Sequence, residues 1–176
     1  MNLKLARTAT ALAVFVAVLS PATSASADGE VDGPWYIVHS ASGRCLDSPA
    51  EWGGVNGTPM QLWDCYPPTQ YNQMWRRRWR SLTSFELINV ASGRCLDAPA
   101  EFAGGDGTKI QVWDCYPPNQ TNQMWRLMAG GRLQNVGFSK VIQPDPGRQN
   151  QNGTWLQSWN LDTSNFNQVW QLRSFS

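Results

Sequence analysis

The segment WDCYPPTQYNQMW, residues 63–75, recurs as WDCYPPNQTNQMW at residues 113–125, 50 positions later. A third version, WNLDTSNFNQVW at residues 159–170, lacks the cysteine and both prolines. The similarity extends upstream, because residues 43–75 and 93–125 match at 23 of 33 positions without a gap. Self-similarity at a fixed period predicts one structural unit that the chain uses three times.

Each unit has the same order of apolar runs and turn residues. Strand-length runs such as WYIVH at residues 35–39 and FELIN at residues 85–89 alternate with clusters of Gly, Pro, Asn and Ser. This pattern indicates an all-β fold with many turns, and no window shows convincing helical spacing of its apolar residues. Three units are too few for a propeller. We therefore expect a β-trefoil of three pseudo-threefold repeats, with about twelve short strands in all.

The N-terminal residues have the layout of a secretory signal peptide. Lys4 and Arg7 precede an apolar run, and a stretch of small residues leads to a cleavage site after Ala27. The apolar run is too short to span a bilayer, so we expect an extracellular protein without membrane insertion. The length of 176 residues suits one domain. The predicted segments are a signal peptide at 1–27, an N-terminal tail at 28–34 and a domain at 35–176, with repeats at 35–82, 83–130 and 131–176.

Charge and residue content argue against several classes of protein. The formal net charge is +1, and removal of Lys4 and Arg7 with the signal peptide leaves the chain close to neutral. Near-neutrality argues against nucleic acid or an anionic membrane as the main partner. The single histidine, His39, corresponds to Asn89 and Asn135 in the other units, which indicates a polar turn position. Because no Ser-His-Asp arrangement and no metal-ligand cluster is evident, we expect a protein that is not an enzyme and has no cofactor or metal.

Four cysteines in a chain with an export signal predict two disulfides. The first two units each hold a pair 20 positions apart, and the third unit has apolar residues at both positions. Loss of both cysteines together favours pairing within a unit over the alternative, pairing between units. Each bridge is expected to stabilise the fold by roughly 3 kcal/mol in the chain-entropy model. The predicted pairs are Cys45–Cys65 and Cys95–Cys115, and the third unit is expected to replace the bridge by a contact between Val141 and Leu161.

The CLD…QxW…NQxW unit, intact in two copies and altered in the third, resembles the ricin B-chain type lectins, the (QxW)3 β-trefoil carbohydrate-binding modules. The resemblance covers residues 35–176 and implies both this fold and sugar binding. It also implies that the last Trp of each unit lies in a shared core, and that the Gln two positions earlier ties the backbone together at the border of the sugar site. These residues are Trp75, Trp125 and Trp170, and Gln73, Gln123 and Gln168, respectively.

A sugar site needs an aromatic plate for the apolar face of a pyranose and a few fixed polar groups for its hydroxyls. A carboxylate accepts strong hydrogen bonds from two adjacent hydroxyls, and an amide both donates and accepts. The resemblance implies one such set in each of the first two units. The sets are Asp47, Gln61, Trp63, Asn72 and Gln73 in unit one, and Asp97, Gln111, Trp113, Asn122 and Gln123 in unit two. The alternatives are a turn cap for each Asp and core packing for each Trp.

The third unit departs from this set, because Gln143 replaces the aspartate while Trp159, Asn167 and Gln168 remain. We expect its site to be weak or lost. Two sites on one rigid monomer favour a multivalent ligand. The sequence therefore predicts a secreted, non-catalytic lectin for galactose-type sugars or a xylan-like plant polysaccharide. The alternative is a protein-binding trefoil, such as a secreted hydrolase inhibitor, which would act through one loop.

Several other features have two interpretations. The run WRRRWR, residues 75–80, predicts either solvated arginines over tryptophan or a contact with an acidic glycan. Trp52 and Phe102 occupy equivalent loop positions, where they either extend the sugar platform or pack the loop. Glu51 and Glu101 are equivalent as well, and are candidates for additional hydroxyl acceptors. Repetition of the carboxylates at symmetric positions favours binding over a single catalytic centre.

Overall fold

The computed structural model describes residues 29–117, 119–148 and 151–174. The predicted signal peptide lies outside these residues. Within them the chain forms thirteen antiparallel strands in one connected sheet, which confirms the predicted all-β fold. The strands are β1 (Val31–His39), β2 (Cys45–Asp47), β3 (Thr58–Pro59), β4 (Gln61–Trp63), β5 (Met74–Trp79), β6 (Phe85–Asn89), β7 (Cys95–Asp97), β8 (Gln111–Trp113), β9 (Trp125–Met128), β10 (Arg132–Asn135), β11 (Val141–Pro144), β12 (Thr154–Trp159) and β13 (Trp170–Arg173). The described helices are single 3-10 turns at Ala50–Trp52, Tyr71–Gln73, Ala100–Phe102, Thr121–Gln123 and Phe166–Gln168.

The strands repeat one pattern three times. Five antiparallel pairs join six strands in the order β13, β1, β5, β6, β9 and β10. The Trp170 N–H donates to the Gly131 carbonyl at 2.7 Å, which links β13 to the turn before β10. The hairpins β2–β4, β7–β8 and β11–β12 have the same register, because Cys45, Cys95 and Val141 each pair with the QxW tryptophan of their own unit.

A ring of three backbone hydrogen bonds marks the pseudo-threefold axis. The Met60 N–H donates to the Ile110 carbonyl at 2.8 Å, Ile110 to Leu156 at 2.9 Å, and Leu156 back to Met60 at 2.9 Å. All three side chains are fully buried in the core. One element from each unit therefore meets at the axis, so the third unit is required by the fold whether or not it binds a ligand.

The tryptophans expected in the core are there. Trp75, Trp125 and Trp170 are buried in one cluster, and each indole N–H donates to the carbonyl of a residue in its own unit, at 3.1, 2.9 and 3.0 Å respectively. A buried indole must find an acceptor for its N–H. These residues therefore have a structural role, as predicted.

Both predicted disulfides are confirmed. Cys45 bonds to Cys65 and Cys95 to Cys115, with Cα–Cα distances of 5.2 and 5.0 Å. Their replacements in the third unit differ, because Val141 is buried whereas 38% of Leu161 stays exposed.

The N-terminal end of β1 is held by an aspartate. Residues 31–34, predicted to belong to the tail, are part of β1, and Val31 and Asp32 pair with β5 before a register shift. Asp32 accepts hydrogen bonds from the indoles of Trp35 and Trp79 at 2.8 and 2.9 Å, and forms an ion pair with Arg77 at 2.7 Å. The Arg77 guanidinium lies 4.4 Å from the Trp79 ring centroid. Burial alone raises the pKa of Asp32, but these hydrogen bonds outweigh it and hold that pKa below its usual value.

Two more arginines of the run are also engaged. Arg78 and Arg80 both pair with Glu86, whose side chain is buried. The fourth arginine, Arg76, is exposed. Three of the four charges of the run are therefore used in ion pairs that join β5 to β1 and β6, and only Arg76 matches the solvated interpretation.

Replacing Asp32 by Ala should lower the free energy of unfolding by about 1–2 kcal/mol, because it leaves the Arg77 guanidinium and two indole N–H groups without their acceptor. Denaturant titration measures the change. Glu30→Ala, an exposed acid two positions earlier, is the control and should change stability little. Equal stability of the two variants would contradict the assigned role of Asp32.

His39 joins the first unit to the third. Its Nε2 lies 3.2 Å from the Asn167 carbonyl and its Nδ1 lies 2.8 Å from Ser42 Oγ. A carbonyl only accepts, so Nε2 carries the proton. The equivalent Asn89 and Asn135 donate in the same way to the carbonyls of the preceding units, which agrees with the predicted polar turn position. Burial lowers the pKa of His39 to about 4.

This pKa predicts a pH-dependent stability. Between pH 6.5 and about 4 the unfolded chain binds a proton at His39 and the folded chain does not, so stability should fall as the pH falls through this window. The loss from pH 7 to pH 5 should be about 2 kcal/mol. His39→Asn copies the residue of the other two units and should remove most of this dependence in thermal unfolding. An unchanged pH profile in His39→Asn would count against this assignment.

Candidate functional site

Asp47 is the centre of a cluster of amide side chains. It ends β2 directly opposite Gln61 of β4. Its Oδ1 accepts from Gln61 Nε2 at 2.9 Å, and its Oδ2 accepts from Asn72 Nδ2 at 2.9 Å and from Gln73 Nε2 at 3.0 Å. We call this arrangement the aspartate–amide cluster. The structure thus brings together four of the five residues predicted for unit one.

Unit two repeats the cluster. Asp97 accepts from Gln111 at 2.9 Å, from Asn122 at 2.8 Å and from Gln123 at 3.1 Å. Both aspartates are 3% exposed, so the carboxylates are buried and satisfied by the protein itself. Each aspartate therefore has a structural role, through these amides, as well as a position from which it could meet a ligand.

The NQxW glutamine holds the loop that follows the QxW strand. Gln73 Nε2 also donates to the Asp64 carbonyl at 2.9 Å, and its Oε1 accepts from the Tyr66 N–H at 3.0 Å. Gln123 makes the same two bonds in unit two. The predicted tie between this glutamine and the backbone of the unit is confirmed.

An open cleft adjoins each cluster. In unit one it has a volume of about 120 Å³ and is lined by Asp47 and Trp63, among others. Trp63 is 37% exposed and lies outside the core. The alternative interpretation of this residue, packing in the core, is therefore wrong. The cleft of unit two has a volume of about 200 Å³. Its Trp113 is half-buried and donates from the indole to the Tyr116 hydroxyl at 2.9 Å.

The clefts contain residues that sequence reasoning missed. Tyr66 and Gln70 line the first, and Tyr116 and Gln120 line the second. Their signal is the CYPP and PxQ pattern that recurs in the first two units. Glu51 and Glu101 line the clefts, as proposed from their equivalence. Trp52 and Phe102 line neither cleft.

Burial raises the pKa of Asp47 and of Asp97, the hydrogen bonds from the amides oppose this effect, and the neighbouring Glu51 and Glu101 add to it. A carboxyl whose pKa is raised on folding takes up a proton more readily in the folded than in the unfolded state. The folded state therefore gains relative stability as the pH falls through this range. At neutral pH each ionised aspartate therefore lowers the stability of the folded state. Residues with shifted pKa values of this kind are frequent at functional sites.

Acidification should weaken ligand binding at a higher pH than the usual pKa of an aspartate would predict. A protonated carboxyl loses an acceptor position and disturbs the amides around it. Binding to an immobilised ligand, measured as the pH is lowered with the fold monitored in parallel, tests this expectation. Binding that stays constant until the usual aspartate pKa is reached would contradict it.

The third unit assembles an incomplete cluster. Gln143 Oε1 accepts from Gln168 Nε2 at 2.9 Å and from Asn165 Nδ2 at 3.3 Å. Gln157, opposite Gln143 in the hairpin, has a buried Nε2 without an acceptor among the described residues. A carboxylate has two oxygens to share among three donors, whereas an amide has one. The replacement therefore leaves one donor unsatisfied.

Two further differences separate unit three from the others. The asparagine that donates to Gln143 is Asn165, and not Asn167, the residue at the predicted position. The backbone carbonyl of Asn167 accepts from His39, as the carbonyls of Asn72 and Asn122 accept from their partners in the next unit. Trp159 is half-buried like Trp113, whereas the exposed Asp162 stands where the other units have a cleft tyrosine.

Neither a metal centre nor a membrane span is found in the part of the chain that the structure describes. No group of three or more His, Cys, Asp or Glu side chains there is placed to hold a metal ion. No described helix is long and apolar enough to cross a membrane. The clefts offer an aromatic surface beside fixed acceptors and donors, which suits a ligand with one apolar face and several hydroxyls.

Comparison with known proteins agrees with this geometry. A profile of the ricin-type beta-trefoil lectin domain matches residues 34–170. Among solved structures, the designed threefold-symmetric protein ThreeFoil is 23% identical with a TM-score of 0.71, over 82% of this chain and 100% of that protein. An exo-beta-1,3-galactanase from Clostridium thermocellum is 22% identical with a TM-score of 0.69, over 82% of this chain and 31% of the galactanase.

A third structure, the C-terminal half of an earthworm R-type lectin in complex with GalNAc, is 18% identical with a TM-score of 0.63, over 80% of this chain and 98% of that one. These identities establish the fold alone. No curated protein sequence gives a significant match to the chain.

Proposed function

The chain belongs to the ricin-type β-trefoil lectin family, and we propose that it is a secreted, non-catalytic lectin that binds sugars through the clefts of units one and two. The family supports carbohydrate binding in general. The choice of sites, ligand and compartment is our proposal. Two disulfides favour an oxidising, extracellular location.

One observation carries the proposal: a buried, ionisable aspartate lines an open cleft together with a tryptophan, and this arrangement occurs twice, with Trp63 exposed and Trp113 half-buried. A carboxylate has about four acceptor positions, and amides use three of those on Asp47. Since Asp47 lines the cleft, the remaining position is available to a ligand hydroxyl. The amides fix the carboxylate in one orientation, which reduces the entropy lost on binding.

The two clefts favour a repeating ligand. A shallow site for one sugar binds weakly, and two sites on a rigid body gain avidity when both engage the same polymer. Galactose-type sugars are our first candidates, supported by the GalNAc complex of the earthworm lectin and by the trefoil of the galactanase. A xylan-like polysaccharide is the second candidate.

The proposal is tested by binding of the oxidised protein to a panel of galactose, N-acetylgalactosamine and xylose ligands, each presented as free sugar and as polymer. We expect the polymer to bind more tightly than its sugar unit. Failure to bind any carbohydrate, together with inhibition in a panel of secreted hydrolases, would replace the lectin by the protein-binding alternative.

A further inference from the structure

The pseudo-threefold axis carries a surface that differs from unit to unit. The residues that precede the ring of axial hydrogen bonds are Pro59, Lys109 and Trp155. Each pairs with the QxW glutamine of a neighbouring unit, namely Gln111, Gln157 and Gln61. The positions are therefore equivalent, yet their side chains have different chemistry. The three units therefore present a proline, a lysine and a tryptophan at one symmetric position.

Aromatic rings gather beside this position. Trp52 lies 5.5 Å from Trp155 between ring centroids and is 46% exposed. Lys109 Nζ lies 4.7 Å from the centroid of the Trp155 ring. Trp52, Lys109 and Trp155 come from units one, two and three, so only the folded trefoil brings them together. We call this set, with Phe102, the axial surface.

Phe102 adds a further exposed aromatic ring that lines one depression with Lys109. It is 61% exposed and lines a depression of about 490 Å³ together with Pro59 and Lys109. Neither Trp52 nor Phe102 lines a cleft of the aspartate–amide clusters. Phe102 buries little surface and contributes little to packing, whereas Trp52 packs against Trp155 and still leaves 46% of its surface exposed. An additional platform at the axis is therefore favoured for these residues, next to the cleft of unit two, with which the depression shares Gln111.

The charge at the axial surface is positive. Lys109 is exposed and forms no ion pair within the described residues. Asp106, which lines the same depression, is already neutralised by Lys140 at 2.7 Å. A ligand there meets aromatic rings and one cation that lacks a carboxylate partner.

We propose that the axial surface is a further glycan site, which binds a pyranose carrying a carboxylate, such as a uronic acid side group of a polysaccharide. The apolar ring face packs against Trp52 and Trp155, and the carboxylate pairs with Lys109 in a charge-assisted hydrogen bond. Phe102 supports the next sugar along the chain. This inference rests on the proposed lectin function but uses none of the cleft residues.

The test uses a glucuronic-acid-substituted xylo-oligosaccharide and the same oligosaccharide without the acid, compared by calorimetry. The parent protein should bind the acidic ligand about tenfold more tightly at low salt, and added salt should reduce this preference. Lys109→Gln should remove the preference, and Trp52→Ala should weaken binding of the acidic ligand. Arg76→Gln removes another exposed cation and is the matched control, for which we expect the parent's preference.

A variant with Trp63→Ala and Trp113→Ala separates the axial surface from the clefts. Retained binding of the acidic oligosaccharide by this variant supports the axial site, and loss of that binding overturns it. A parent-like preference in Lys109→Gln overturns it as well. If galactose-type ligands still bind the parent in either case, the proposed lectin function stands. If the parent binds none of them but binds the acidic ligand through Trp52 and Lys109, the cleft sites fail and the axial site stands.

Discussion

Replacing Trp63 and Trp113 together by alanine should weaken binding to the preferred polysaccharide by about 100-fold. Each substitution removes the aromatic surface of one cleft, which is worth about 1–2 kcal/mol against the apolar face of a sugar. Each single variant should lose about tenfold, because one intact cleft no longer provides avidity. Neither residue belongs to the buried core cluster, so the thermal unfolding temperature should change little. Calorimetry with the sugar unit measures the loss of affinity at a single cleft, and calorimetry with the polymer measures the loss of avidity as well.

Trp159→Ala is the matched control for this prediction. Trp159 ends the QxW strand of unit three, where the aspartate–amide cluster is incomplete. We expect the Trp159→Ala variant to bind the polysaccharide with the same affinity as the parent protein. A loss equal to that of Trp63→Ala would mean that the third unit binds after all, and that the aspartate is not what distinguishes the sites.

Asp97→Gln should copy the cluster of unit three into unit two. The amide side chain has one oxygen for three donors, so at least one buried N–H is left without an acceptor. We expect the free energy of unfolding to fall by about 2 kcal/mol. Binding at this cleft should fall by at least about tenfold, because the charge-assisted acceptor is lost. Chemical denaturation measures the change in the free energy of unfolding. The change in affinity is measured in a Trp63→Ala background, in which only the second cleft is intact.

The control for Asp97→Gln is Asp145→Asn, which removes a carboxylate two positions beyond Gln143 that lies outside all three clusters. Its binding should match that of the parent. If Asp97→Gln unfolds too readily for binding to be measured, Asp97→Asn, which is closer in shape, replaces it. Unchanged affinity in a folded Asp97→Asn variant would refute the assigned ligand contact, and the aspartate would then be structural only.

Much of the fold could be predicted because the same unit occurs three times in the sequence. The repeat alignment that superimposes Cys45 on Cys95, and Cys65 on Cys115, also superimposes the core tryptophans. The residues of the clusters were implied by the family resemblance, and their recurrence in unit two placed the same set there. The roles of the arginines in residues 75–80 were not predictable. Their partners, Asp32 and Glu86, lie on neighbouring strands and have no counterpart in the repeat.

The sequence by itself determined the period and favoured the disulfide pairs, because both are repeated from unit one to unit two, and the family resemblance of the repeated positions implied the residues of each cluster. Only the tertiary structure decided which aromatic residues remain exposed, and which residues of different units become neighbours. Trp52, Lys109 and Trp155 are far apart in sequence and occupy one surface because the three units close around an axis. Contacts within a repeated unit leave a pattern in the sequence, whereas contacts across the axis depend on the closure of the trefoil.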